Sequence, residues 1–311
     1  MPRLHRRTVL AGALGAAAAA LCPAAISGRQ ARTRLVLLGT GGGPRPKKNV
    51  SAPAQAVVVD GAVYVVDCGD GVARQLVAAG LPLPSLRHVF VTHHHSDHNA
   101  DYGNLLLLAW AAGLRTAVDT WGPPPLERMT RQFLELNDAD ITTRIADEGR
   151  VPLAPLVRAH DVAKAGVVMQ DDRVKVTAAV VPHPPVTPSF AYRFDTADRS
   201  IVISGDTARS DALVELARGA DVLVHEALYL PAVDRIVGSI PNASTLKQHI
   251  IDSHTTAEDC GRVAQAAGVK TLVLSHFVPA DDPLVTDEMW IAAARTHFRG
   301  TVVIGKDLMA L

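Results

Sequence analysis

Val89-Phe90-Val91-Thr92-His93-His94-His95-Ser96-Asp97-His98 is the stretch on which the reading of this 311-residue chain turns. A β-branched apolar run leads directly into His-x-His-x-Asp-His. Strand side chains alternate between faces, so His93 and His95 point the same way wherever the extended spacing persists. Asp97 and His98 follow on the turn. Neutral imidazoles and a carboxylate are the usual ligands of zinc at an open site. Taken alone, the motif also fits a solvated histidine-rich patch; four such donors so close together can instead begin two adjacent metal sites.

Further donors stand at the ends of other apolar runs. His183 follows Val180-Val181-Pro182, Asp206 follows Ile201-Val202-Ile203-Ser204-Gly205, and His276 follows Thr271-Leu272-Val273-Leu274-Ser275. Polar groups just past buried strands are where α/β architectures collect function, although each residue alone reads as structural. The chain around them alternates. Arg34–Leu38, Ala54–Val59, Ala62–Val66 and His88–Thr92 read as strands, with Asp60-Gly61 as a hairpin turn. Gly71–Ala79, Leu105–Ala112 and Leu126–Leu136 read as helices. In the second half, strands are expected at Val174–Val181, Phe190–Phe194, Ser200–Ser204, Val222–His225, Thr271–Ser275 and Thr301–Ile304. Helices are expected at Ala212–Arg218 and Thr256–Ala267. Val233–Ser253 reads as a polar loop of the kind that forms lids or specificity elements. Gly39-Thr40-Gly41 lacks the third glycine of a dinucleotide fingerprint, since Pro44 follows Gly43.

The order Gly-Thr-Gly, Asp67-Cys68-Gly69-Asp70-Gly71, Thr-His-x-His-x-Asp-His, lone His183, Ser-Gly-Asp-Thr and Ser-His resembles the metallo-β-lactamase superfamily over nearly the whole chain after residue 27. The resemblance implies an αββα sandwich, two mixed β-sheets flanked by helices. It implies two zinc ions, with other divalent metals also acceptable: one held by His93, His95, His183 and Asp206, the other by Asp97, His98, Asp206 and His276, with Asp206 between them. One carboxylate can serve two cations at the roughly 3.5–4 Å spacing of binuclear centres. Trp121-Gly122-Pro123-Pro124, Val224-His225-Glu226-Ala227 and His254-Thr255-Thr256 look like the RNase Z and arylsulfatase side of the superfamily. Asp67–Leu76 and Val303–Met309 look most like exported arylsulfatase-type members. On this resemblance the expected activity is hydrolysis of aryl sulfate or related esters by a zinc-bridging hydroxide. Asp97 would orient the nucleophile, and His254, held by Glu226, would act as general acid. The alternatives are a phosphodiesterase or RNase Z-like nuclease, and then a lactone or β-lactam hydrolase. His94 is expected to ligate nothing. Arg45-Pro46-Lys47-Lys48-Asn49 partly resembles a basic loop of RNase Z but reads first as a solvated loop near the site mouth. Trp110, Trp121 and Phe133 read first as core-packing residues, with an aryl pocket as the alternative.

Composition is globular, 48% hydrophobic and 20% charged, with 31 basic and 31 acidic residues. Arg6-Arg7 before an Ala/Gly-rich run and Ala25-Ile26-Ser27 read as a twin-arginine export signal over residues 1–27, leaving a single catalytic domain over 28–311 and a periplasmic or secreted location. Removing Arg3, Arg6 and Arg7 and no acid leaves 28 basic against 31 acidic residues, a net of −3. That balance disfavours a polyanion such as tRNA. The expected partner is therefore a small-molecule ester, with no nucleic acid and no membrane anchor after signal removal, and with room for a homodimer. Cys68 and Cys260 read as small buried apolar residues or as one disulfide.

Overall fold

A computed structural model describes residues 32–311 apart from 239 and 242; the export-signal reading lies outside these residues. The chain turns where Asp60-Gly61 predicts. Strands β2 (Ala54–Val59) and β3 (Ala62–Val66) pair antiparallel with Val59 opposite Ala62. Asp60 and Gly61 take φ of 48° and 81°, as a twisted two-residue hairpin loop requires. Around this hairpin the first sheet runs in the order β1 (Thr33–Gly39), β2, β3, β4 (Leu86–Phe90), β5 (Val118–Gly122) and β6 (Val157–Asp161). The pairings from β3 to β6 are parallel.

The second sheet is built from β7 (Gly166–Gln170), β8 (Val174–His183), β9 (Val186–Thr196), β10 (Ser200–Ile203), β11 (Val222–Leu228), β12 (Thr271–Val278) and β13 (Thr301–Ile304). They lie side by side in reverse sequence order. Strands β10 to β13 pair parallel and β7 to β10 antiparallel. Both sheets are mixed. Strands β2, β3 and β11 are buried at every position, because one face meets the other sheet and the opposite face meets helices; that is why they are Val-rich without a strict polar alternation, interrupted only by Gln55 in β2 and His225-Glu226 in β11.

Three cores follow from this layering. Leu35, Tyr64, Phe90, Phe190, Tyr192 and Phe194 pack between the sheets, with Phe90 edge-on to Phe194 at 5.3 Å between ring centroids. The first sheet's outer face is covered by α1 (Val72–Ala78) and α3 (Tyr102–Ala111), which flank the short α2 (Ser96–Asn99). Helices α4 (Leu126–Leu136) and α5 (Asp138–Glu148) follow, and α6 (Asp211–Leu216), α9 (Ala257–Ala267) and α10 (Asp287–Arg295) cover the second sheet. The αββα sandwich is the architecture expected. Cys68 and Cys260 are both buried and free, one in each outer core, so they do not pair. Among the described residues no helix is long and apolar enough to cross a membrane.

Residues 233–253 are not a loop. They carry α7 (Val233–Gly238) and α8 (Leu246–Ser253). Val233, Ile236 and Val237, then Leu246 and Ile250, fall at helical spacing and pack on Leu228 and Val278. That period is easily overlooked in a stretch whose remaining residues are polar and which Pro241 interrupts.

Candidate metal centre

Four segments deliver donors to one end of the sandwich. The loop after β4 brings His93, His95, Asp97 and His98; β8 ends on His183; the loop after β10 brings Asp206; and His276 lies within β12. His276 is placed by an irregularity. Ser275 pairs with Glu226 and Phe277 with Ala227, so His276 is the extra residue of a β-bulge, with φ of 44°. Such strained bulges re-aim side chains at functional sites. Gly205 also has positive φ (59°), and a Cβ there would lie 2.6 Å from the Phe190 carbonyl oxygen; glycine alone lets the chain turn into Asp206.

The donors form two sets. His95 Nδ1 lies 3.0 Å from His93 Nε2 and 3.1 Å from His183 Nε2, and Asp206 Oδ2 lies 3.9 Å from each of those Nε2 atoms. On the other side, His276 Nε2 lies 3.1 Å from His98 Nε2, 3.4 Å from Asp97 Oδ2 and 3.1 Å from Asp206 Oδ1. Asp206 thus presents one oxygen to each set. The edges of a tetrahedron with metal–nitrogen bonds of about 2.0–2.1 Å measure roughly 3.3 Å, close to these separations.

Protonation argues the same way. Thr92 Oγ1 gives its hydrogen to Asp67 Oδ2, so His93 Nδ1–H donates to Thr92. His98 Nδ1–H donates to Asp67 Oδ2 at 2.7 Å, and His183 Nδ1–H to the Ser253 carbonyl at 2.8 Å. His93 and His183 therefore each turn an Nε2 lone pair inward, the outer-shell pattern of metal-ligating histidines, whereas at His98 burial is outweighed by Asp206, Asp67 and Asp97, which favour the charged form. Burial, then the crowding of like groups, holds His93 well below the usual imidazole range and His95 at about 4; burial also lowers His183. Converging lone pairs repel unless a cation lies among them. Asp206 Oδ1 is buried without a hydrogen-bond partner. Burial opposes its charge, yet His276 and His98 hold the Asp206 carboxyl well below its ordinary range. The His/Asp cluster fits a metal site.

Beside this cluster, Glu226 is buried and accepts from Thr207 N–H (3.0 Å) and Thr255 N–H (3.1 Å). Its Oε2 lies 3.1 Å from His254 Nδ1. Burial works against a charged His254, but Glu226 outweighs it and the imidazolium is raised to about 9. The Glu226–His254 contact expected from the motif is present. His94 turns away, to the Pro123 carbonyl and Asn99. Trp110, Trp121 and Phe133 pack elsewhere and line no part of the site.

A cavity of about 470 Å³ opens over the cluster. Its walls include His95, Asp97, Asp206, His254 and His276, the basic Arg45, Lys47 and Arg235, and an apolar side of Ile236, Ile240, Leu246, Ile250 and Val278. Lys47 donates to the carbonyls of Gly43 and Arg45, and burial lowers its ammonium from the ordinary lysine value. Sequence reasoning missed three contributors. Asp67 orients Thr92 and His98, Ser253 orients His183, and His249 lines the cavity. Asp67 was in view within a glycine-rich motif, but a lone acid carries no sign of a partner 31 residues away. The signal for the others was the spacing of His249, Ser253 and His254 at the end of one helix.

Residues 63–277 match the family model described as the beta-lactamase superfamily domain. Ribonuclease Z of Mycobacterium bovis is 34% identical over 277 residues, covering 88% of this chain and 96% of that protein. Two solved structures share the fold at TM-score 0.64 and 20% identity: the metallo-β-lactamase fold protein YhfI from Bacillus subtilis, covering 90% of this chain and 98% of that one, and the short form of human tRNase Z, covering 89% and 98%. The chain belongs to the metallo-β-lactamase superfamily and to its ribonuclease Z-like branch. It is a hydrolase of that superfamily.

Two expectations are corrected by these relatives. The aryl sulfate hydrolase is overturned by similarity, over 88% of this chain, to proteins named ribonuclease Z. The expectation of a small-molecule ester and no nucleic acid falls with it. Net charge averages the whole surface, whereas binding responds to local groups: Arg45 and Lys47 line the cavity, together with Asp281 and with Arg235 paired to Asp282.

Proposed function

We propose that this protein is a binuclear zinc-dependent ribonuclease, with tRNA-like RNA as its substrate class. The observation that carries the reading is the placement of the Glu226–His254 pair against the Asp206-bridged donor sets, in a chain similar along its length to ribonuclease Z. His93, His95, His183 and Asp206 would hold one ion, and Asp97, His98 and His276, with Asp206 Oδ1 beside them, the other. Two such ions supply water activated near neutral pH and offset charge on phosphoryl oxygens.

The chain's own residues do the rest. Asp97 Oδ2 accepts from the Gly43 amide at 2.9 Å, which holds the carboxylate facing the cavity. Arg45 and Lys47 line the same wall and attract the phosphate. As the bond from phosphorus to the incoming water oxygen forms, the bond to the leaving ribose oxygen breaks. That oxygen takes a proton from His254, whose Nδ1 is committed to Glu226 and whose Nε2 is the ring nitrogen left to give it. A positioned general acid is worth about 10²–10⁴ in rate. The apolar wall suits the face of a nucleobase. The test is incubation of zinc-loaded protein with a tRNA-like hairpin carrying a 3′ extension. Cleavage at one position is expected; intact RNA alongside ready hydrolysis of bis-nitrophenyl phosphate would sink the ribonuclease reading.

A further inference from the structure

His249 is a cavity residue that the mechanism above does not use. It lies on α8, one turn before Ser253, so the two side chains share a helix face. Its ring centroid is 6.0 Å from that of His95 and 6.3 Å from that of His254, at the edge of the metal cluster and outside both donor sets.

A single hydroxyl settles which ring nitrogen carries the proton. Ser253 Oγ has one hydrogen and donates it to the Pro184 carbonyl at 2.5 Å. His249 Nδ1 lies 3.3 Å from the same Oγ, which there can only accept. The neutral ring therefore carries its hydrogen on Nδ1 and offers Nε2 as a lone-pair acceptor. Elsewhere on the cavity lining, Arg45 and Lys47 are donors, suited to phosphate. An acceptor repels phosphate oxygens, which are acceptors too. It is matched instead by a hydroxyl. In nucleic acid the hydroxyl adjoining each internucleotide phosphate is the ribose 2′-OH, which DNA lacks.

We propose that His249 is a specificity-determining residue that accepts a hydrogen bond from a ribose 2′-hydroxyl beside the scissile phosphate, so that the site tells RNA from DNA. The proposal rests on the ribonuclease reading.

The experiment compares kcat/KM of the zinc-loaded protein on a tRNA-like RNA and on the same RNA with one 2′-deoxynucleotide on either side of the cleaved bond, one side at a time. One hydrogen bond predicts a loss of about three- to tenfold for one of the two deoxy substrates. His249→Ala should cleave the RNA more slowly by a similar factor and no longer distinguish the two substrates. His249→Gln, whose side-chain oxygen accepts, should keep part of the preference. Bound zinc should be unchanged in both variants. Full discrimination in His249→Ala overturns the proposal, as does indifference of the unmodified protein to both deoxy positions. Equal losses on both substrates with reduced zinc would make His249 a support for Ser253 and His183, and would also overturn it. Intact RNA with hydrolysed bis-nitrophenyl phosphate removes the ribonuclease reading, and this proposal with it.

Discussion

Asp206 is the residue on which both donor sets depend, because each takes one of its oxygens. Asp206→Ala is expected to lower bound metal at both positions and to reduce phosphodiester hydrolysis by at least about 10²–10³. Metal analysis of the purified variant checks the first; retention of two ions per chain would rule out the bridging role. His254→Ala separates proton donation from charge. A ribose oxygen needs a proton to leave, whereas nitrophenolate does not. The loss should reach about 10²–10⁴ on RNA and stay much smaller on bis-nitrophenyl phosphate. Equal losses on the two substrates would argue against an acid role.

At the scale of elements, the bulge in β12 and the loop after β1 hold each other. Gly42 N–H donates to the Phe277 carbonyl, and a Cβ on Gly42 would sit 2.5 Å from His276 Nδ1. Gly42→Ala should therefore displace His276, lowering zinc affinity while circular dichroism stays native; unchanged affinity would show that the loop yields instead. The strands themselves are tied at their other end. Asp221 accepts from Lys270 Nζ and from Ser200 N–H and Oγ–H, joining the start of β10 to the turns before β11 and β12. With the Lys270 bond as the largest cause, its carboxyl is lowered to about 2 from an ordinary 3.8. A folded value below the unfolded one means the contribution is complete above about pH 4 and is lost as pH falls toward 2. Urea midpoints of the protein and of Asp221→Asn should differ at pH 6 and converge near pH 2. A constant difference across that range would show that the charge is not what stabilises the join.

For the molecule as a whole, the centre is a clasp between halves. His93, His95, Asp97 and His98 belong to the first sheet's loops, whereas His183, Asp206 and His276 belong to the second sheet. Ions bound there stabilise the folded state by mass action. Chelation should lower the melting temperature by more than about 5 °C, given roughly 2–4 °C per kcal/mol for a chain of about this size. Calorimetry with and without chelator, then with zinc restored, reads this directly; an unchanged melting temperature would mean that the halves are already held by the inter-sheet core.

Much of this was legible beforehand. Most of the seven donors lie just past apolar runs, and such an end is visible in sequence because hydrophobicity stops where the strand leaves the core; His276, inside β12, is the exception. The Asp60-Gly61 turn was legible because its φ values restrict the residues that fit. Residues 233–253 were not, because a short amphipathic helix on a cavity wall shows little apolar surface. Strands β5, β6 and β7 and helices α5 and α10 were likewise passed over, being short, polar or at sheet edges. By itself the sequence determined the superfamily and the architecture, and it pointed to the His and Asp side chains that the fold gathers into one cluster. Only the tertiary structure decided that His276 sits on a bulge, that Asp67 and Ser253 set the histidine tautomers, and that His249 faces the cavity, because each depends on a partner distant in the chain or on backbone geometry that periodicity does not encode.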